Sequence, residues 1–467
     1  MRPRQRARQP RSIAARSLQA AALLSLLLAP TLLVPALLAA QPSLDRPISI
    51  GDAARIAARQ SAFTEQARLR AEQADARVTQ RRAELLPNLS AAASQGGRTF
   101  NTATFGIDFR DPASGATLFD PNGEVLGPVN LTEVRGRVSQ AVFDVGAIAR
   151  VRSARASASA ADAAATDAAE QAAAAGAVAY LRALRAEAEV RARGADSVLA
   201  DSLLLIARDL LSAGVGVGLD VTRAQAQLAN VRAQLIVARN ARDRARLDLL
   251  RALNLPLDTP VRLADSLGAL PVPTDVPAEA AAIERALRSR PDLAAADRQV
   301  RAAEQALSAI RAERLPTVGV FADDGFIGKG PSHLLHTYTW GLQLSFPIFE
   351  GFRREGRLGE QRALERELDV RRRDLRQQTS LEVRGALLDF SSAREQIAAA
   401  RERLALAEQE IVQARDRFRA GVAGNADVIT ASLSLTGART LLIDAQTSYQ
   451  AARISLARAQ GAVRELP

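Results

Sequence analysis

The chain has 467 residues, of which 48% are hydrophobic but only 4% aromatic, and it contains no cysteine. That length allows two or three ordinary domains, while the shortage of large side chains and the wealth of Ala and Arg argue for long helices packed closely along their length. The missing cysteine excludes disulfide staples, thiolate metal sites and an N-terminal lipidated cysteine, and the formal net charge of +11 implies no nucleic-acid partner because it is unevenly placed.

Six arginines (Arg2, Arg4, Arg6, Arg8, Arg11, Arg16) fall in the first 40 residues, where there is no acid. The apolar run Leu18–Ala40 follows, closing on the small residues Ala39-Ala40 before Gln41-Pro42. Residues 1–40 therefore read as an export signal. Pro30 and Pro35 inside the run speak against a retained spanning helix, and no later stretch reads as a transmembrane helix. On the helices Arg alternates with acids, as in Arg401-Glu402-Arg403, the pattern of a solvated face rather than of a phosphate-binding stripe.

Residues 41–254 form a first structural repeat: helix, strand pair at about 88–143, long helix, turn at 213–220 and returning helix. A connector at 255–277 contains five prolines. Residues 278–461 repeat the plan, with a strand pair at about 316–349 and a turn at 420–427, before a tail at 462–467. Leu85-Leu86-Pro87 and Arg314-Leu315-Pro316 end the leading helices. Phe143-Asp144-Val145-Gly146 matches Phe349-Glu350-Gly351, and from Gly214 onward the two halves align at a constant offset of 207. The long helices, from about Gly146 to Ser212 and Gly351 to Ala420, each span roughly 100 Å, which requires a rod or a tube.

The returning helices carry a heptad seam. Val221, Ala224, Leu228, Val231, Leu235, Ala238, Ala245 and Leu249 fall at steps of three and four, with Arg242 the one miss. Val428, Ala431, Leu435, Ala438, Leu442, Ala445, Tyr449, Ala452 and Leu456 repeat it without a miss. Between the helices the period changes to two. Tyr338, Trp340, Leu342, Leu344, Phe346 and Ile348 alternate with Thr339, Gly341, Gln343, Ser345 and Pro347, while Val134, Val138 and Val142 alternate with Glu133, Arg135, Arg137, Ser139 and Phe143. Their expected partners are Asn88–Phe100 and Thr317–Phe326. At about ten residues each, such strands match tilted bilayer crossings, with the chain's one Trp and one of its three Tyr residues placed as in an aromatic belt. Four strands cannot close a barrel, so the reading demands several copies: two would give eight strands and three would give twelve.

With these features in place, the chain resembles the TolC outer-membrane factor family over nearly everything after residue 45. The resemblance rests on Ile-Ser-Ile-Gly-Asp-Ala-Ala-Arg within Ile48–Ser61, the two Leu-Pro helix exits, Phe-Pro-Ile-Phe-Glu-Gly at 346–351, and two Gly-Val turns each followed by Asp-Val. It implies an α+β membrane protein, internally duplicated and trimeric. Long α-helical coiled-coil hairpins would form a periplasmic barrel, and four transmembrane β-strands per protomer would form a twelve-stranded pore in outer-membrane lipid. It also implies partners: a periplasmic adaptor (membrane fusion protein) and an inner-membrane pump of the RND, ABC or MFS type. The expected function is that of a passive exit duct for efflux or type I secretion, with no enzyme activity and no cofactor.

The turns then become adaptor-docking tips, carried by Gly214, Val215, Gly218, Leu219 and Asp220 in one half and Gly421, Val422, Asn425 and Asp427 in the other. Glycine would cap the helix that ends there and Asp the helix that begins. Asp427 matches the first acid of the family's Val-Asp-x-x-Asp element, which lines a closed periplasmic aperture. Thr430 stands at the second position, so one of the two expected acid rings is missing. The first turn lies between helices and lacks Gly-Lys-Ser/Thr, which separates it from a phosphate-binding loop. His333 and His336, with Asp323 and Asp324, are placed in an outward loop and are read as solvated rather than metal-binding. Two alternatives share the helices. A periplasmic adaptor usually has one hairpin with a compact β domain, and a structural secreted coiled coil has no need of amphipathic strand pairs in both halves.

Overall fold

The computed structural model describes residues 47–105, 111–114, 117, 120, 122–270 and 278–467. They belong to one unit running from Arg46 to Pro467. The export signal read at 1–40 lies outside the described residues, as do residues 271–277 of the connector.

The first half consists of α1 (Ile50–Gln60), α2 (Ala62–Ala83), β1 (Asn88–Asn101), β2 (Val125–Phe143), α3 (Val145–Ser212) and α4 (Gly218–Ala252). The second consists of α5 (Glu279–Ser289), α6 (Pro291–Ala312), β3 (Thr317–Gly328), β4 (Leu334–Ser345), α7 (Arg353–Arg419) and α8 (Asn425–Ala459). The leading helix of each half, read as one element, is two. Ser61 is extended (φ −60°, ψ 143°), ending α1 and capping α2, whose Thr64 N–H donates to its Oγ at 3.2 Å. At the second break Arg290 is extended ahead of Pro291, because the proline ring crowds a helical backbone in the residue before it.

Helices α3 and α7 run uninterrupted for 68 and 67 residues. Asp144 starts α3 by accepting the Ala147 N–H at 2.8 Å. The heptad seams are where the sequence puts them: Ala224, Leu228, Val231 and Ala238 are buried on α4, and Val428, Ala431, Leu435, Ala438, Tyr449 and Ala452 on α8. Away from the sheet, α3, α4, α7 and α8 share one apolar cluster that includes Leu203, Leu228, Ile411, Phe418 and Leu435. By length and composition α8 is apolar enough to cross a membrane, contrary to expectation, but its seam packs on α7 through Tyr449 and Phe390. Gly176 shows how tight the packing is. A Cβ there would lie 2.6 Å from the Ala57 Cβ, so the missing side chain is what lets α1 rest on α3.

Polar contacts fasten distant segments to α3 near its middle. The Tyr180 hydroxyl lies 2.7 Å from the Ile48 carbonyl and 2.9 Å from Asp265 Oδ2, and accepts the Asp265 N–H at 3.3 Å. Glu170, 4% exposed within an alanine-rich stretch, accepts the Val463 N–H at 2.6 Å and Arg464 Nε at 2.8 Å. Arg290 donates to Asp292, to Glu382 and to the Ala459 carbonyl. The start of the unit, its C-terminal segment and the connector are thereby fixed to the long helices.

Burial pushes the Tyr180 phenol above its ordinary range, so it stays protonated and keeps donating. Tyr180→Phe should cost about 1–2 kcal/mol in a thermal or chemical melt, because it leaves Ile48 and Asp265 short of a donor. The wild type should lose this margin above pH 10.0, the ordinary tyrosine value, where the unfolded phenol ionises and the folded one does not. Melts of the two proteins at pH 8 and about pH 11 check both the size and the sign.

Candidate functional site

The four strands form one antiparallel sheet in the order β1-β2-β3-β4, so β2 and β3 join the two halves. Directly opposed residues share a face, and the register therefore fixes both faces. Val134 opposes Phe326 and Ala93, Val138 opposes Ala322 and Leu89, and Ala322, Val320 and Val318 oppose Trp340, Leu342 and Leu344. This face is largely apolar, though Asp324 opposite Tyr338, His336 opposite Phe326 and Gln140 opposite Val320 also stand on it, and its β4 side chains are open, Trp340 being 77% exposed. The other face carries Glu133, Arg135, Arg137 and Asp323, with Thr337, Thr339, Gln343 and Ser345 on β4. There Arg135 donates to Glu133 at 2.7 Å and to Thr337 at 3.0 Å, and the Arg137 guanidinium lies 5.4 Å from the centre of the Phe321 ring. Strands β1 and β4 are paired on one side only.

Tyr338, Trp340, Leu342, Leu344, Val134 and Val138 stand together on the apolar face as expected from their alternation. Three other placements differ from the sequence reading. The register of β2 shifts between Ala141 and Phe143, so Val142 is the bulged residue and Phe143 opposes Val318 of the apolar face. Phe346 and Ile348 lie beyond β4, which ends at Ser345. Asp323, Asp324 and His336 are strand residues rather than loop residues, and His336 Nε2 lies 2.6 Å from Asp324 Oδ1. Strand β2, at 19 residues, is also nearly twice the expected length.

At the far ends of the hairpins the two turns have one geometry. Gly214 and Gly421 are left-handed, at φ +77° and +72°. In each, the glycine N–H and the next N–H reach back to the last turn: Gly214 to Leu211 and Val215 to Leu210, Gly421 to Phe418 and Val422 to Arg417. This double bond pattern closes a helix with glycine just past its end. The expected capping by Asp does not occur. The cap positions of α4 and α8 are Val217 and Gly424, without side-chain cap bonds, and Asp220 and Asp427 sit in the first turn. There their charge favours the helix dipole without a cap bond.

Gly214, Val215, Gly218, Leu219, Gly421, Val422, Asp427 and Thr430 are exposed, and Asp220 is half-buried. Thr430 turns its hydroxyl back to the Ala426 carbonyl at 2.9 Å. Asn425 is the exception at 1% exposure, its Nδ2 donating to the Asp220 carbonyl at 2.7 Å. It thus ties the two tips together rather than facing a partner. The offset of 207 held the clue, because it pairs Asn425 with Gly218, and only one of these has a side chain to reach across.

The sequence profile of the outer membrane efflux protein family matches residues 57–255 and 282–462, most of the chain. The chain belongs to this family. Two relatives show what the chain is similar to. The probable efflux pump outer membrane protein TtgC of Pseudomonas putida is 25% identical over 263 residues, covering 53% of this chain and 51% of TtgC. The alkaline protease secretion protein AprF of Pseudomonas aeruginosa is 26% identical over 324 residues, covering 67% of this chain and 66% of AprF. The chain thus spans about half the length of TtgC in that alignment. Among solved structures, the CmeC outer membrane channel of Campylobacter jejuni superposes with a TM-score of 0.72 at 16% identity, over 88% of this chain and 85% of CmeC. The fold is accordingly that of the outer membrane efflux family, with long helical hairpins and a small sheet.

The tip geometry separates two neighbouring glycines. Gly421→Ala should destabilise the α7–α8 hairpin by about 1 kcal/mol, since a Cβ there meets no atom within 4 Å and only the positive φ resists it. Gly424→Ala, at φ −79° and equally unobstructed, should be neutral within about 0.5 kcal/mol. Thermal melts of the two variants check the contrast.

Proposed function

We propose that the chain is one protomer of a homotrimeric exit duct that passively conducts cargo through the outer membrane, its helices extending into the periplasm. The observation that carries this reading is the sheet: one largely apolar face, one largely polar face and two unsatisfied edges at the head of helices of 68 and 67 residues. Hydrocarbon tolerates no open strand edge, so β4 of one copy pairs with β1 of the next until the ring closes. Three copies supply twelve strands, with the Trp340 face toward lipid and the Arg135 face toward the lumen. Being a channel component, the chain is no enzyme.

The cargo is pushed by an inner-membrane pump, and a periplasmic adaptor joins pump to duct at the exposed tips. TtgC is named for an efflux pump and AprF for protease secretion, which supports a duct serving one such system. Asp427, exposed in the first turn of α8, is the residue that lines the periplasmic aperture. Three symmetry copies make a single ring of negative charge, with Thr430 in place of a second ring.

The purified protein in a planar bilayer should give small, mostly closed conductance with a preference for cations. Asp427→Ala should lower the cation-to-anion permeability ratio severalfold while leaving insertion intact, as read from the reversal potential in a salt gradient. Folded protein that never inserts would reject the duct. Channels with unchanged selectivity in the variant would reject the Asp427 ring alone.

A further inference from the structure

Next to the sheet, α3 packs on α2 and on α6, and α6 packs on α7. This helix layer has two sides. One continues the polar face of the sheet: a cavity there is lined by Arg137, Gln343 and Ser345 together with Glu84 and Asp144, and Arg150 of α3 donates to both acids, at 2.7 and 3.3 Å. Arg150 also lines a second cavity with Ser153, Ser157, Glu313 and Arg357, where Arg357 donates to Glu313 at 2.7 Å. On this side Arg150 and Arg357 are held by acids.

The other side carries a groove of about 470 Å³ between α3 and α6, and its charge is not neutralised. Arg152, Arg155 and Ser159 of α3 line it, with Arg298, Arg301 and Glu304 of α6. Arg155 lies about 200° around α3 from Ser153, which puts the groove on the opposite side of the layer. Four guanidinium groups stand against one carboxylate, an excess of three positive charges. Among the described residues none of the four pairs with an acid, Glu304 included. Arg298 instead donates to the Ser159 carbonyl at 3.1 Å, which holds it in the groove. At 1.5 Å per residue, Arg152 lies about 10 Å and Arg298 about 20 Å from the helix ends that meet the sheet, so the charges are strung along roughly 10 Å. Like charges that close repel even in physiological salt, where the screening length is about 8 Å, and an anion of matching spacing relieves them.

We infer that this groove binds the carboxylate-bearing peptides of the cell wall, fastening the outer surface of the helical rod to the polymer that it passes. The inference rests on the duct reading, which turns the polar face of the sheet to the lumen and this groove outward into the periplasm. Lipid phosphates do not reach the groove. The headgroup layer adds only about 5–8 Å to each side of the hydrocarbon, and the groove begins about 10 Å past the strands. A partner seated on the hairpin tips is out of reach as well, since the end of α3 at Ser212 lies about 85 Å beyond Arg155. An extended peptide with several carboxylates fits along the groove, each carboxylate accepting two N–H bonds from a guanidinium fork.

The full chain in detergent is mixed with purified cell-wall sacculi and sedimented, an assay that needs no bilayer. The native protein should co-sediment. Arg155→Gln/Arg301→Gln should cut the bound fraction about tenfold at an unchanged melting temperature, through the loss of two charge-assisted contacts. Arg401→Gln/Arg403→Gln removes the same charge from exposed positions of α7 and should bind as the native protein does. Native protein that stays in solution, or an equal loss in both double variants, would overturn the site. Sacculi with amidated carboxylates should no longer hold the native protein; undiminished binding to them would overturn it too. If Arg155→Gln/Arg301→Gln lost binding to phosphatidylglycerol vesicles but kept it to sacculi, the groove would belong to lipid phosphate instead. In a planar bilayer that variant should keep the native reversal potential, and a shift would place the groove in the lumen and reject the proposal. Native protein that sediments with sacculi yet never inserts would reject the duct alone.

Discussion

A helix of nearly seventy residues has no core of its own and is held, turn by turn, only by what lies alongside it. In this chain that partner is a returning helix whose contact stripe alternates small and large residues, as in Val428, Ala431, Leu435 and Ala438. The small positions bring backbones together and the large ones fill the space between turns. The aromatic-poor composition follows from this requirement, because bulky side chains at every turn would hold the rods apart. So does the clamp around Tyr180 and Glu170, which fastens the leading and trailing segments to α3 where the long helices continue past them.

Duplication supplied two copies of one plan, and the structure shows where they diverged. The helix ends stayed equivalent: Gly214 and Gly421 close the outgoing helices, while Asn254 and Gly461 close the returning ones with the same left-handed turn. The beginnings did not. Gly218 of the first half stands where the second has Asn425, a buried amide bridging the tips, and the cap position held by Asp144 in α3 is held by the uncapped, left-handed Phe352 in α7. Each half keeps what helix geometry demands at its exit and varies what it offers at its entrance.

What could be read from the sequence follows from the range over which each signal acts. Helix lengths, seams and glycine turns are set by neighbours within a turn or two, and Val145–Ser212 and Arg353–Arg419 fall close to the expected spans. The alternation of Tyr338 to Leu344 likewise announced an amphipathic strand. The bulge at Val142 was hidden because a shifted register leaves hydrophobic residues on both sides of it, and only the pairing of Phe143 with Val318 reveals the change of face. The split of the leading helices at Ser61 and Arg290 was obscured by helix-compatible residues on either side, although Pro291 marked one of them. The roles of Glu170 and Asn425 depend on chain segments two to three hundred residues away, at separations of 293 and 205, where local pattern carries no information.

The joining of β2 to β3 has a consequence for how the chain is made. Arg135 and Thr337 lie on one face of one sheet but are 202 residues apart in sequence. The first hairpin therefore emerges with one edge that can be satisfied only after α3, α4, α5 and α6 have been synthesised. Until then an amphipathic hairpin waits in water with its apolar face uncovered, while the helical segments around it have local partners and can form first. Assembly of the sheet is thus a late event in the life of the chain, because its two inner strands come from separate halves.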